Sequence, residues 1–322
     1  MRRSKLVVPI LVVVLILSLF GCGGTSSSPS SGTSSIPSEG VFGTEWGTQG
    51  TGDGQFREPE GLAVASDGSV YVADYSNNRV QKFTSEGVFL NKWGALGTDD
   101  GQFNYLLGLA VASDGNVYVA DTFNHRIQKF TSEGVFVSKW GTEGTGDGEF
   151  REPRGVAVAP DGTIYVSDHG NNRIQKFTSE GAFVSQWGTE GTGDGEFQEP
   201  EGVAVAFDGS VYVVDALNNR IQKFTSDGAF VSQWGTEGTG DGEFSWPLGV
   251  SVASDGSIYV ADFSNHRVQK FASDGVFVSK WGSEGTGDGY FRQAKAVAVA
   301  SDGSVYVADY SNNRIQKFLP GK

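Results

Sequence analysis

A six-bladed β-propeller with four-stranded blades is the fold class that this 322-residue sequence predicts, and three observations predict it. A single unit, typified by residues 150–196, recurs at a spacing of 47, carrying an aspartate at Asp74, Asp121, Asp168, Asp215, Asp262 and Asp309. A tryptophan keeps the same spacing at Trp46, Trp93, Trp140, Trp187, Trp234 and Trp281. The units hold four short apolar runs divided by turn residues, and the chain ends supply complementary fragments of the sixth. A fixed period of this length built from strand-like runs signals propeller blades, and the Gly and β-branched content excludes helical repeats.

The unit itself supplies the strands. Residues 155–159 form an apolar run, followed by the turn Pro160-Asp161-Gly162 and a second run at 164–168. The turn Gly170-Asn171-Asn172 leads to 173–178, and Glu180-Gly181 to 182–187. This reads as an antiparallel meander of strands a, b, c and d. Strand a alternates Gly and Ala with valine, which suits the axis, where blades converge and space is least. Strand d mixes Phe183 and Trp187 with Ser185 and Gln186, which suits a half-solvated outer strand.

The ends explain how the ring closes. Residues 39–47 read EGVFGTEWG, matching the d segment EGVFVSKWG at 133–141, yet no a, b or c strand precedes them. The last unit has a, b and c runs and stops at Leu319-Pro320-Gly321-Lys322. The N-terminal strand is therefore expected to pair with strand c of the last blade, closing one domain over 39–322 and removing open edges.

Ahead of that domain, Arg2, Arg3 and Lys5 precede an apolar stretch at 6–20, too short for a comfortable membrane span and shaped like an export signal. It ends in Leu19-Phe20-Gly21-Cys22, which resembles the bacterial lipoprotein signal, with Phe20 bulkier than usual. That resemblance implies a signal peptide at 1–21, lipid attachment at Cys22, and a place on the extracytoplasmic side of a bacterial cell envelope. An uncleaved N-terminal anchor is the competing reading. Residues 22–38, rich in Ser, Gly, Thr and Pro, read as a flexible tether. Cys22 is the sole cysteine, so no intramolecular disulfide forms. Loss of the three basic residues of the leader would take the formal net charge from −14 to −17, which argues against nucleic acid as a partner. A monomer is expected, since the ring leaves no unit incomplete.

The elements G-D-G-x-F, P-x-G-V-A-V, D-G-x-V/I-Y-V-A-D, N-x-R-I/V-Q and F-x-x-D/E-G recur along the chain, and each unit resembles an NHL repeat over residues 39–318. The resemblance implies a six-bladed propeller. It leaves the activity open, because propellers of this family serve as protein- and RNA-binding platforms, as sensor domains and as metal-dependent amidating lyases.

Chemistry-bearing residues divide into repeated and unique ones. The six aspartates ending strand b face six arginines opening strand c, at Arg79, Arg126, Arg173, Arg220, Arg267 and Arg314, across a short turn. Six equal copies suit turn-bracing ion pairs, because active sites are asymmetric. The loops carrying Asp147, Asp194 and Asp241 offer one carboxylate each, too few for calcium, so turn chemistry is the better reading. His125 and His266 replace a turn Asn, whereas His169 stands alone. Resemblance to amidating lyases raises zinc, but the three positions do not match one another, so no cofactor and no catalytic residue are assigned.

The units differ in two zones: the residues before strand a and those after the aspartate of strand b. In a meander both zones emerge at one end of the ring. That face is expected to present Tyr75, Tyr105, Phe123, His169, Leu217, Trp246, Phe263 and Tyr310 around the channel, with Glu60, Arg154, Glu201 and Lys295 nearby. Aromatic side chains with mixed charges suit recognition of a protein, peptide or glycan. A lyase-type enzyme with a metal at the channel mouth and a structural surface protein are the alternatives.

Overall fold

The structure, a computed structural model, describes residues 40–320. The leader, Cys22 and the tether lie outside the described residues. Among the described residues, twenty-four strands form six antiparallel sheets of four. Five blades are continuous meanders, such as Pro153–Val158, Ile164–Asp168, Arg173–Phe177 and Phe183–Trp187 in blade 3. The sixth joins Ala294–Val299, Val305–Asp309 and Arg314–Leu319 to the N-terminal strand β1, Val41–Trp46. The chain ends thus meet as the sequence predicts, with Val41 opposite Leu319 and Trp46 opposite Ile315.

Strand a begins two residues earlier than the apolar pattern suggests. Pro153 pairs with Asp168, and a register shift separates it from the next pair, Val156 with Val166. Proline at the first strand position gives up no ladder hydrogen bond, and the bulge after it turns one side chain per blade toward the axis. A short 3-10 turn follows the aspartate in five blades, for instance His169–Asn171.

Packing is between blades as much as within them. The tyrosine of strand b, buried in every blade, sends its hydroxyl to a carbonyl in the c–d turn of the next: Tyr71 to Ser132 at 3.3 Å, Tyr165 to Ser226 at 3.0 Å and, across the closure, Tyr306 to Ser85 at 3.2 Å. The tryptophan ending strand d lies on a glycine of the next blade's c–d turn. At Gly87, whose φ is +80°, an added Cβ would sit 2.5 Å from the Trp46 ring. Both the left-handed backbone and the indole demand glycine there.

The face opposite the variable loops is tied by charge. Lys82 reaches Glu133 at 2.9 Å and Lys317 reaches Glu86 at 2.7 Å, each lysine also lying over a tyrosine ring. Glu86 and Glu133 are inter-blade clasps.

Candidate functional site

The repeated Asp–Arg pairs are structural, as their symmetry implies. Asp74 is fully buried and accepts from Arg79 Nε at 2.7 Å, Asn77 Nδ2 at 2.9 Å, Gln81 Nε2 at 3.0 Å and the Arg57 backbone N–H at 2.8 Å. Arg79 spends its remaining donors on the carbonyls of Thr51, Gly52 and Gln55. The pair therefore fixes the Gly-rich loop entering the blade, and the five other blades repeat the ion pair at 2.6–2.7 Å. In these loops Asp100 and Asp241 turn outward onto Lys139 and Lys280, at 2.7 and 2.6 Å. Among the described residues no group of three His, Cys, Asp or Glu is placed to hold a metal ion.

His125 and His266 have the role of the asparagine they replace. Each adopts a left-handed backbone, φ 52° and 54°, and its Nδ1 accepts the N–H of Glu152 at 3.1 Å or Gln293 at 2.9 Å in the next blade. Asn78 and Asn219 accept from Tyr105 at 2.7 Å and Trp246 at 2.8 Å in the same way. These acceptors secure a strained position, because the residue two before the bulge has φ between 49° and 68° in all six blades without being glycine. Bulky Tyr105 and Trp246 are held there against their backbone preference, with 37% and 44% of their surface exposed.

The side chains predicted for one face do gather at one end of the ring. Trp246, Phe263 and Tyr310 form one arc, with ring centroids 5.8 and 6.1 Å apart. Tyr75, Tyr105 and Phe123 form a second, at 4.8 and 5.5 Å. Together they span blades 5, 6, 1 and 2. Blades 3 and 4 contribute His169, Gly170, Ala216 and the exposed Leu217 in their place. Phe263 and His169 are buried, contrary to the expectation that they are presented to solvent: Phe263 backs Tyr310, and His169 lies behind Arg154 and Glu201.

Glu60, Arg154, Glu201 and Lys295 lie in the channel wall, with Leu107 and Leu248 at the equivalent positions. The bulge turns these six residues inward, and the following glycines let neighbouring strands approach: a Cβ on Gly202 would stand 2.6 Å from the Leu248 carbonyl oxygen. The cavity so lined measures about 100 Å³. Lys295 bonds Glu60 at 2.8 Å beneath the rings of Phe263 and Tyr310, 5.4 and 5.7 Å away. Arg154 pairs with Glu201. Burial raises the Glu60 carboxyl above its ordinary range despite Lys295, and raises the Tyr310 phenol, with Glu60 adding to that shift. His169 is pushed down to about 4 by burial first and then by the Arg154 charge, so its imidazole is neutral at pH 7.

Leu107 and Leu248 are the site residues missed from the sequence. Their place in the 47-residue series with Glu60 was the available signal. The placement of His169 beside Arg154 and Glu201 was not readable, because it depends on contact between blades 3 and 4.

The fold and site define a closed propeller with one aromatic, asymmetric face. The NHL repeat model matches residues 56–83, 103–130, 150–177, 197–224, 244–271 and 291–318, more than half of the chain, and the protein belongs to the NHL-repeat family. No curated protein matches the sequence. Among solved structures, a protein of unknown function from Bacteroides thetaiotaomicron is similar at 19% identity and TM-score 0.66, over 86% of this chain and 76% of that one. A streptogramin B lyase is similar at 16% identity and TM-score 0.61, over 85% and 96%. A gluconolactonase from Xanthomonas campestris is similar at 15% identity and TM-score 0.60, over 83% and 87%. At these identities the likeness concerns the fold.

Proposed function

We propose that this chain is a binding module of the bacterial cell envelope, tethered by lipid at Cys22, that recognises a protein, peptide or glycan through the face carrying the b–c turns and the loops entering strand a. The observation that carries this reading is the aromatic crescent. Two arcs of three rings each occupy that face over four blades, two of the rings on backbone that disfavours bulky residues, and no repeat-wide packing rule requires them. The formal charge of −14 supports a partner other than nucleic acid.

The test pairs binding with melting. Phe123→Ala combined with Trp246→Ala is expected to abolish capture of the native partner by the purified lipoprotein while leaving the melting temperature nearly unchanged. Phe207→Ser is the control, because Phe207 stands 90% exposed in an a–b turn on the opposite face. Loss of capture in the control alone, or unfolding of the double variant, refutes the assignment.

A lyase-type enzyme is the second reading, favoured by one observation, the neutral His169 beside Glu201 at the channel mouth. Substrate conversion that disappears in His169→Ala would establish it.

A further inference from the structure

The inference rests on the recognition face proposed above and concerns what that face binds. The six inward residues read Glu60, Leu107, Arg154, Glu201, Leu248 and Lys295 around the ring, so opposite members match: Glu with Glu, Leu with Leu, Arg with Lys. Each base pairs with the glutamate of the following blade. The mouth therefore carries two acids and two bases and has no formal net charge to reward an ionic ligand.

The two halves differ in what surrounds the base. Lys295 is covered by Phe263 and Tyr310. Arg154 instead adjoins His169, and there two polar atoms have no partner: Arg154 Nε, a donor, and His169 Nδ1. His169 is only 7% exposed, and its Nδ1 stands 3.8 Å from Glu201 Oε1. A neutral imidazole carries its one proton on either ring nitrogen, so Nδ1 meets a partner as donor or as acceptor. An unmet guanidinium donor and an unmet ring nitrogen beside a carboxylate select for a group that both donates and accepts. A hydroxyl is such a group. A ligand carboxylate would suit Arg154 but face Glu201, and an ammonium would suit Glu201 but face Arg154.

We infer that the ligand is an uncharged oligosaccharide, with hydroxyls of one sugar taken by Arg154, His169 and Glu201 and the C–H faces of adjoining sugars laid on Tyr105, Phe123 and Trp246. Size supports this division. A cavity of about 100 Å³ is small beside the roughly 300–1,000 Å³ of a site that encloses a whole ligand, so it takes part of one sugar and the rest of the ligand lies across the face. The exposed rings are the apolar half of such a site, and the charged mouth supplies its few placed polar groups.

The test is calorimetric titration of the full-length protein in detergent with cellotetraose, maltotetraose and tri- and tetra-N-acetylchitooligosaccharides, alongside a pool of uncharged tetrapeptides. At least one saccharide is expected to saturate a single site. Trp246→Ala, His169→Leu and Arg154→Lys should each weaken it about tenfold or more, the last by removing Nε while keeping the ion pair. His169→Gln, whose carboxamide both donates and accepts, should bind within about threefold of wild type. Melting curves identify any variant that fails to fold, and the Arg154→Lys and His169→Gln comparison then decides. Peptides that saturate with the same Trp246 dependence while no saccharide does would overturn the saccharide assignment and leave the recognition face standing. Saccharide binding indifferent to Arg154→Lys and His169→Leu would overturn the hydroxyl site. No saturation by any probe would overturn the inference, and partner capture abolished by the Phe123/Trp246 double variant would then show that the face itself survives.

Discussion

Removing β1 by truncating the chain before Gly47 should cost the ring much of its stability, and the contacts of β1 set the scale. Trp46 lies 5.8 Å from Phe83 and 6.1 Å from Tyr306, Phe42 lies 6.3 Å from Phe318, and Glu45 pairs with Arg314. Loss of a packed tryptophan costs about 3–5 kcal/mol and of a half-buried phenylalanine about 2 kcal/mol, before the exposed ladder of Arg314–Leu319 is counted. That sum approaches the roughly 5–15 kcal/mol by which whole domains are stable, and corresponds to a fall of more than about 10 °C in melting temperature. The uncovered edge should also recruit a second copy. Scanning calorimetry with light scattering after gel filtration measures both, and a synthetic peptide of residues 39–47 added in excess should restore the melting temperature. A truncated chain that stays monomeric and melts within about 2 °C of the intact one would show that closure does not depend on this strand.

Three further outcomes follow from the same geometry. Asp215→Ala strands Arg220 in a buried site and should destabilise the protein by about 3–5 kcal/mol in denaturant titration, with ligand affinity unchanged in the folded fraction; an affinity loss without destabilisation would contradict the bracing role. His169 is held near 4 in the fold against about 6.5 unfolded, so the unfolded chain takes up the proton first and stability is lost as pH falls from about 6.5 through 4, by about 3 kcal/mol at most. Comparing urea midpoints of wild type and His169→Gln across that window isolates this contribution, and parallel curves would refute it. Cys22→Ala should release the protein from membranes, checked by fractionation and by mass spectrometry of the mature N-terminus; an intact Met1 on the membrane-bound form would exclude lipidation at Cys22.

The architecture was legible because it is written six times. A 47-residue spacing survives uncertainty in any one strand, and the orphan segment at 39–47 names its own place by matching 133–141. What the repeat hid was contact between copies. Asn78 looks like a local turn residue, yet its carboxamide holds the next blade's Tyr105, and the same geometry explains why His125 substitutes for it. Glu133 looks like a free surface charge until Lys82 is found a blade away. Pro153 and Arg154 read as loop because proline ends apolar runs, although here it opens an inner strand whose partner is Asp168. The site was half legible for the same reason. Differences between copies marked loops that the structure gathers at one end of the ring, whereas which side chains are buried behind the face, as Phe263 and His169 are, depends on neighbours about a repeat away in the chain.

Recognition through one face is tested most directly by a hydrogen-exchange footprint of the protein with and without a ligand that saturates it. Protection is expected in the b–c turns and the segments entering strand a, above all residues 104–107, 122–125, 151–154 and 245–248, with the a–b and c–d turns at 65–69 and 84–88 unchanged. Protection concentrated in those opposite turns, or spread equally over all six blades, would contradict an asymmetric binding face at the channel mouth.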